Sequence, residues 1–380
     1  MHTATRANRV PPAPAPDWRW GLTWSVVIVA VSCLPYLVAW AAAPAGYQFT
    51  GILVNPFDGH SYLAKMRQGW EGAWLFHLTY TPEPHAGAVL FLFYLALGHV
   101  ARLVGLPLVI TYHAARVLAG LGMLAMLYAF VVRLSPDARA RRWLFGLAAA
   151  TAGLGWLGSA VGLLPVDLWV PEAFAFFSLL TNPHFPLTLA LMLAGVYGVV
   201  WPWRGWRRWL LPGLIGAVLG AVSPFALVIL YVTFAAYLVW LAIGTARRQG
   251  QTGGVVPGGV AALALVAASA LWLAYDARVV ANQPVFAGWS AQNVTPTPSL
   301  PDLLLGFGLL VPLAVVGAVD GVRRRDRAAV MLLIWASVTC ILMAAPLSLQ
   351  RRMITGLGLP LALLAGLAVS LPHPLTPSPQ

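Results

Sequence analysis

Charge is what this sequence lacks most. Of its 380 residues only 9% are charged, while 60% are hydrophobic. A soluble domain carries about a quarter charged residues, so a water-soluble globule is excluded. Acids are scarcer than bases: 11 Asp and Glu against 23 Lys and Arg, a net charge of +12. On a soluble chain that excess would suggest nucleic acid. Here the arginines fall in short loops between apolar runs, where they orient helices and meet lipid phosphates. No nucleic-acid partner is expected. Cysteine is nearly absent too. Cys33 and Cys340 both lie inside apolar runs, which argues against a disulfide framework. The chain has no phosphate-binding P-loop, no dinucleotide fingerprint and no G-x-S-x-G elbow.

What is abundant is apolar sequence. Runs of about 20 residues, the length that crosses a bilayer as a helix, recur from Trp24 to Ser370. They are continuous rather than alternating, so helices are expected instead of a barrel. The fold class is all-α, a polytopic transmembrane bundle of about 10–11 spans. Residues 1–20 are polar and Pro/Ala-rich and read as a disordered cytoplasmic tail. Residues 21–371 form a single transmembrane domain, and 372–380 a Pro-rich tail. The first apolar run, residues 24–43, reads as an uncleaved anchor with its amino end inside.

Arginines at 204–208, 247–248 and 323–327 then mark inside loops. Polar islands near 46–87, 165–186 and 276–301 fall outside. Two features conflict with this layout. Two full spans within 88–132 would put the basic residues 133–142 outside, so either one segment fails to cross or that loop breaks the rule. Arg351 and Arg352 also fall outside, where they have no topological role except as interfacial snorkels.

The densest polar stretch is residues 55–74, N-P-F-D-G-H-S-Y-L-A-K-M-R-Q-G-W-E-G-A-W. From Asp58 its spacing is helical, with Tyr62, Leu63, Met66 and Trp70 on one face. Such a helix would lie flat in the membrane interface, apolar side down. Asp58 takes the N-cap position. Asp58, Tyr62 and Lys65 share a stripe at spacings of four and three. A capping acid on a bracing helix and a carboxylate acting as general base toward a lipid-linked substrate both fit this pattern. Asn182-Pro-His184-Phe-Pro186 opens a span from outside. His184 there either turns the chain or binds ligand.

The order Asp58-Gly-His-Ser-Tyr62, Gly69-Trp-Glu-Gly72-Ala-Trp74, Pro82-Glu83-Pro84-His85, Phe91-Leu-Phe-Tyr94 and His113-Ala-Ala-Arg116 resembles the GT-C superfamily of integral membrane glycosyltransferases. The nearest branch is that of protein O-mannosyltransferases and aminoarabinose lipid A transferases. The resemblance covers residues 24–133. It departs at one point: the family's acidic pair is reduced to Asp58-Gly59, which leaves the second carboxylate missing.

The resemblance implies a sugar carried on a polyprenyl phosphate and transferred at the outer face of a bacterial plasma membrane. Asp58 would be the base. Arg351 and Arg352 would steady the leaving lipid phosphate, with Lys65 and Arg116 as further cations. His60, Tyr62, Glu83, His85 and His184 complete the expected substrate-binding set. No cofactor is expected. A divalent metal could draw on His60, His77, His85, His184, Asp58 and Glu83, but no tight ligand spacing supports one. Two other readings stay open: a transporter or lipid flippase, and a catalytically silent GT-C-like scaffold.

Overall fold

The computed structural model describes residues 16–246, 255–346 and 348–370. Most of the amino-terminal tail, the 247–248 arginines and the 372–380 tail lie outside the described residues. The described chain is helical: α1 (Trp18–Ala41), α2 (Pro56–Trp70), α3 (Leu92–Val104), α4 (Leu108–Leu134), α5 (Ala138–Ala149), α6 (Gly155–Ser159), α7 (Ala175–Leu180), α8 (His184–Val200), α9 (Arg207–Val222), α10 (Pro224–Ala246), α11 (Val255–Asn282), α12 (Pro284–Gln292), α13 (Leu300–Phe307), α14 (Leu310–Arg324), α15 (Arg327–Ala344) and α16 (Gly358–Val369). The described residues hold no strand, and one antiparallel bridge joins Phe76 to Ala88.

The all-α membrane bundle is therefore as expected, but the number of spans is not. Among the described residues six helices are long and apolar enough to cross a membrane, or seven if α13 and α14, bent by 73°, count as one. The sequence implied more because apolar stretches were spent on short helices. The run after Trp143 breaks after Ala149 and continues only as the five-residue α6.

The segment that fails to cross within 88–132 is α3. Its 13 residues cover about 20 Å at 1.5 Å per residue, less than the bilayer core of about 30 Å. Instead α3 packs backbone to backbone on α2. A Cβ on Gly69 would sit 2.0 Å from the Leu95 carbonyl oxygen, and one on Gly98 would sit 1.9 Å from that of Met66. Only glycine permits that approach.

With α3 turned aside, α4 is the one helix of residues 88–132 long and apolar enough to cross. Its far end meets the start of α1, where the Tyr128 hydroxyl donates to the Asp17 carbonyl at 2.8 Å. Arg142 lies 5.5 Å from the Trp20 ring, and Arg133 lies 5.8 Å from that of Trp201. Residues 133–142 thus share one end of the bundle with the start of α1 and with the 201–208 turn. The conflict with the charge rule disappears.

The opposite end gathers the close of α1, α2, the start of α4 and the 180–184 turn. There Tyr36 donates to the Leu180 carbonyl, and His113 Nε2 is 2.8 Å from the Gly51 carbonyl. The third polar island is shorter than expected, since α11 runs on to Asn282 and α12 follows. Its remainder straps the arginine turn in place: Thr295 N–H donates to Ser348 at 2.8 Å, and Arg351 N–H donates to Thr295 at 2.9 Å.

Candidate functional site

Helix α2 starts earlier than the spacing implied. Asn55 is its N-cap, in a left-handed conformation, and Pro56 is its first residue. The fixed φ of proline suits that place. Asp58 therefore lies in the first turn rather than at the cap. Its Oδ2 accepts from Asn55 Nδ2 at 2.6 Å. The side chain is exposed at the amino end of the helix. The inward face is also not the expected one. Gly59, Lys65, Met66 and Gly69 are buried, while Trp70 is exposed. Contact with α3, not with an interface plane, sets the rotation.

Tyr62 stacks on Tyr94 with ring centroids 4.3 Å apart. His184, at the start of α8, stands edge-on to both rings, at 5.1 Å and 5.7 Å. The Tyr94 hydroxyl and His184 Nδ1 are 2.6 Å apart, and the Tyr112 hydroxyl donates to Asn182 Oδ1 at 2.5 Å. Three helices and the second polar island are thus joined through phenols.

Charges converge on this stack. Burial raises the Tyr62 pKa; the nearby Arg352 charge opposes the rise, and those of Asp58 and Glu172 add to it. Glu172 is 5% exposed. Its carbonyl accepts from Gly356 N–H at 2.8 Å, which fixes it against the turn Gln350–Ile354 that carries the arginine pair. The Nε atoms of Arg351 and Arg352 are buried without a hydrogen-bond partner. Among the described residues the ion pairs are Arg67–Glu71 and Arg324–Asp320, so neither of these arginines has an acid partner. Arg351 lies 5.1 Å from the Trp169 ring, and Arg352 lies 6.0 Å from that of Phe225. Both side chains are half-buried, a buried and unpartnered Nε is expensive, and the guanidinium fork matches a phosphate.

Lys65 adds a further cation and is the chain's single lysine. Its Nζ is 3.1 Å from Ser61 Oγ, 4.4 Å from the Phe91 ring and 4.8 Å from the Tyr62 ring. Burial lowers its pKa to about 8, against the upward pull of Asp58.

The structure therefore brings together Asp58, Tyr62, Lys65, His184 and Arg352, with Arg351 on the same turn. Arg116 is used otherwise. Buried in α4, it donates to the Leu179 carbonyl and to His113 Nδ1 at 3.2 Å, and it lies 4.5 Å from the Tyr36 ring. It braces α1, α4 and α7. His85 staples its own loop: its Nε2 accepts from Leu78 N–H, and its Nδ1 is 2.9 Å from the Glu83 carbonyl. Glu83 and His60 are exposed. No three His, Cys, Asp or Glu side chains among the described residues form a metal-binding group.

Glu172, Asn182, Tyr94 and Tyr112 belong to the site and were missed in the sequence. Glu172 had one usable signal, as one of three glutamates in the chain, set in a polar island. Chemically, the site offers one exposed carboxylate, one buried carboxylate and three cations around an aromatic floor. No family model matches the chain, and no curated protein matches it.

Proposed function

We propose that the chain is a GT-C-like membrane glycosyltransferase that moves a sugar from a polyprenyl-phosphate carrier to an acceptor at the Asp58 end of the bundle. The observation that supports this best is the half-buried Arg351–Arg352 pair, whose Nε atoms are buried without a hydrogen-bond partner and whose second member, Arg352, acts on the same phenol as Asp58 and Glu172.

In this reading Asp58 takes the proton of the acceptor hydroxyl or amine, which its exposure to arriving acceptors allows. The acceptor oxygen or nitrogen bonds to the sugar's anomeric carbon, and the bond from that carbon to the carrier's phosphate oxygen breaks. The electron pair leaves on the lipid phosphate, where Arg351, Arg352 and Lys65 hold it. Glu172 supplies the carboxylate that the Asp58-Gly59 sequence lacks and steadies positive charge developing on the sugar ring. The site then faces away from the cytoplasm of a bacterial plasma membrane, with the amino terminus inside.

The test uses purified protein in liposomes with a panel of polyprenyl-phosphate sugars, following release of polyprenyl phosphate. Asp58→Asn should lower release by about 10²-fold or more at unchanged thermal stability. Equal release by wild type and variant removes the transferase and leaves the scaffold. Carrier crossing the bilayer with its sugar bond intact favours the flippase.

A further inference from the structure

At the bundle end opposite Asp58, an open groove of about 700 Å³ runs along α5 and is lined also by Trp24 of α1 and Leu310 of α14. We infer that this groove is a binding site for one anionic phospholipid. Arg139, Arg142, Trp143 and Gly146 lie along it at spacings of three and four, so one face of α5 forms its base. The 12 residues of α5 rise about 18 Å. That is close to one leaflet of a hydrocarbon core about 30 Å thick.

Gly146 sets the depth, since a Cβ there would meet nothing within 4 Å. Trp24 and Trp143 stand about half exposed, at 46% and 53%, as rings do at a membrane boundary. An open, mostly apolar groove at leaflet depth suits an acyl chain.

The head group is argued from charge. Arg139 and Arg142 are exposed at the end where α5 begins. Neither has an ion-pair partner among the described residues. Arg142 is held by the Trp20 ring at 5.5 Å, which leaves its fork free for a phosphate. A zwitterionic lipid offers the same phosphate but brings its own cation, so it leaves the net charge of the two arginines uncompensated, whereas an anionic lipid does not. The site is separate from the proposed transfer site and does not depend on it.

The experiment is native mass spectrometry of the full chain taken from nanodiscs holding equal phosphatidylglycerol and phosphatidylcholine. Wild type should retain one phosphatidylglycerol in preference to phosphatidylcholine. The double variant Arg139→Gln/Arg142→Gln should lose that preference by about tenfold. Gly146→Leu, whose Cβ meets nothing within 4 Å, places a side chain in the groove and should lose the bound lipid whatever its head group while keeping its melting temperature. Arg207→Gln/Arg208→Gln, on another exposed arginine pair, should change nothing. Equal retention of both lipids by wild type overturns the proposal. So does retention by Gly146→Leu at the wild-type level, or a control pair that acts as strongly as Arg139 and Arg142.

Discussion

Replacing Lys65 with methionine should stabilise the protein at neutral pH, and the gain should fade as pH rises. The ammonium sits among Tyr62, Phe76 and Phe91, and burial takes its pKa from 10.5 to about 8. Below about pH 8 both the folded and the unfolded chain hold the proton, so the folded state carries the whole desolvation penalty. Between about 8 and 10.5 the unfolded chain binds more protons than the folded one, so stability climbs with pH. Above that range neither form is charged and the penalty is gone.

At 1.36 kcal/mol per pH unit, this gap corresponds to about 3 kcal/mol. Methionine gives up the cation–π contacts, worth about 1 kcal/mol, so the net gain at pH 7 is about 2 kcal/mol. Thermal unfolding of wild type and Lys65→Met in detergent, at pH 7 and pH 10, reads this as several degrees narrowing to little. A variant less stable than wild type at both pH values would show that the rings and Ser61 hold the ammonium more strongly than burial opposes it. In the proposed function, the carrier's phosphate offsets this cost when it binds beside Lys65.

Two further perturbations separate packing from chemistry. Gly98→Ala forces a Cβ into the Met66 carbonyl and should cost about 2–3 kcal/mol by levering α3 off α2; Gly122→Ala, with open space around it, should leave the melting temperature unchanged. Equal melting of the two variants would refute the backbone contact. Glu172→Gln keeps the Gly356 contact, which is made by backbone, and should lower kcat by about 10–100-fold with little change in KM or stability; an unchanged kcat would remove Glu172 from the chemistry.

The class of fold was legible because it rests on composition. Long apolar runs with arginine between them have few ways to fold in a bilayer. The number of spans was not legible, because hydropathy counts residues and does not register contact. Nothing in the composition of Leu92–Val104 says that Gly69 and Gly98 let it dock on α2. The start of α2 was misplaced because Asn55-Pro56 opens the helix before the acid does.

Within the site, Asp58, Tyr62, Lys65, His184 and the arginine pair stood out as polar residues in oily surroundings. Tyr94 and Tyr112 did not, since tyrosine inside an apolar run reads as membrane filler until its hydroxyl is seen to meet His184 or Asn182. Arg116, which the resemblance set beside the carrier phosphate, directs its donors to neighbouring residues.

The most direct measurement is the binding of polyprenyl phosphate, without sugar, to the purified protein and to Arg351→Gln/Arg352→Gln. Each charge-assisted hydrogen bond lost is worth about 1.5–3 kcal/mol, so the double variant should bind about 10²-fold more weakly or worse. Equal affinity for the two proteins would contradict the assignment of this half-buried pair to a lipid phosphate.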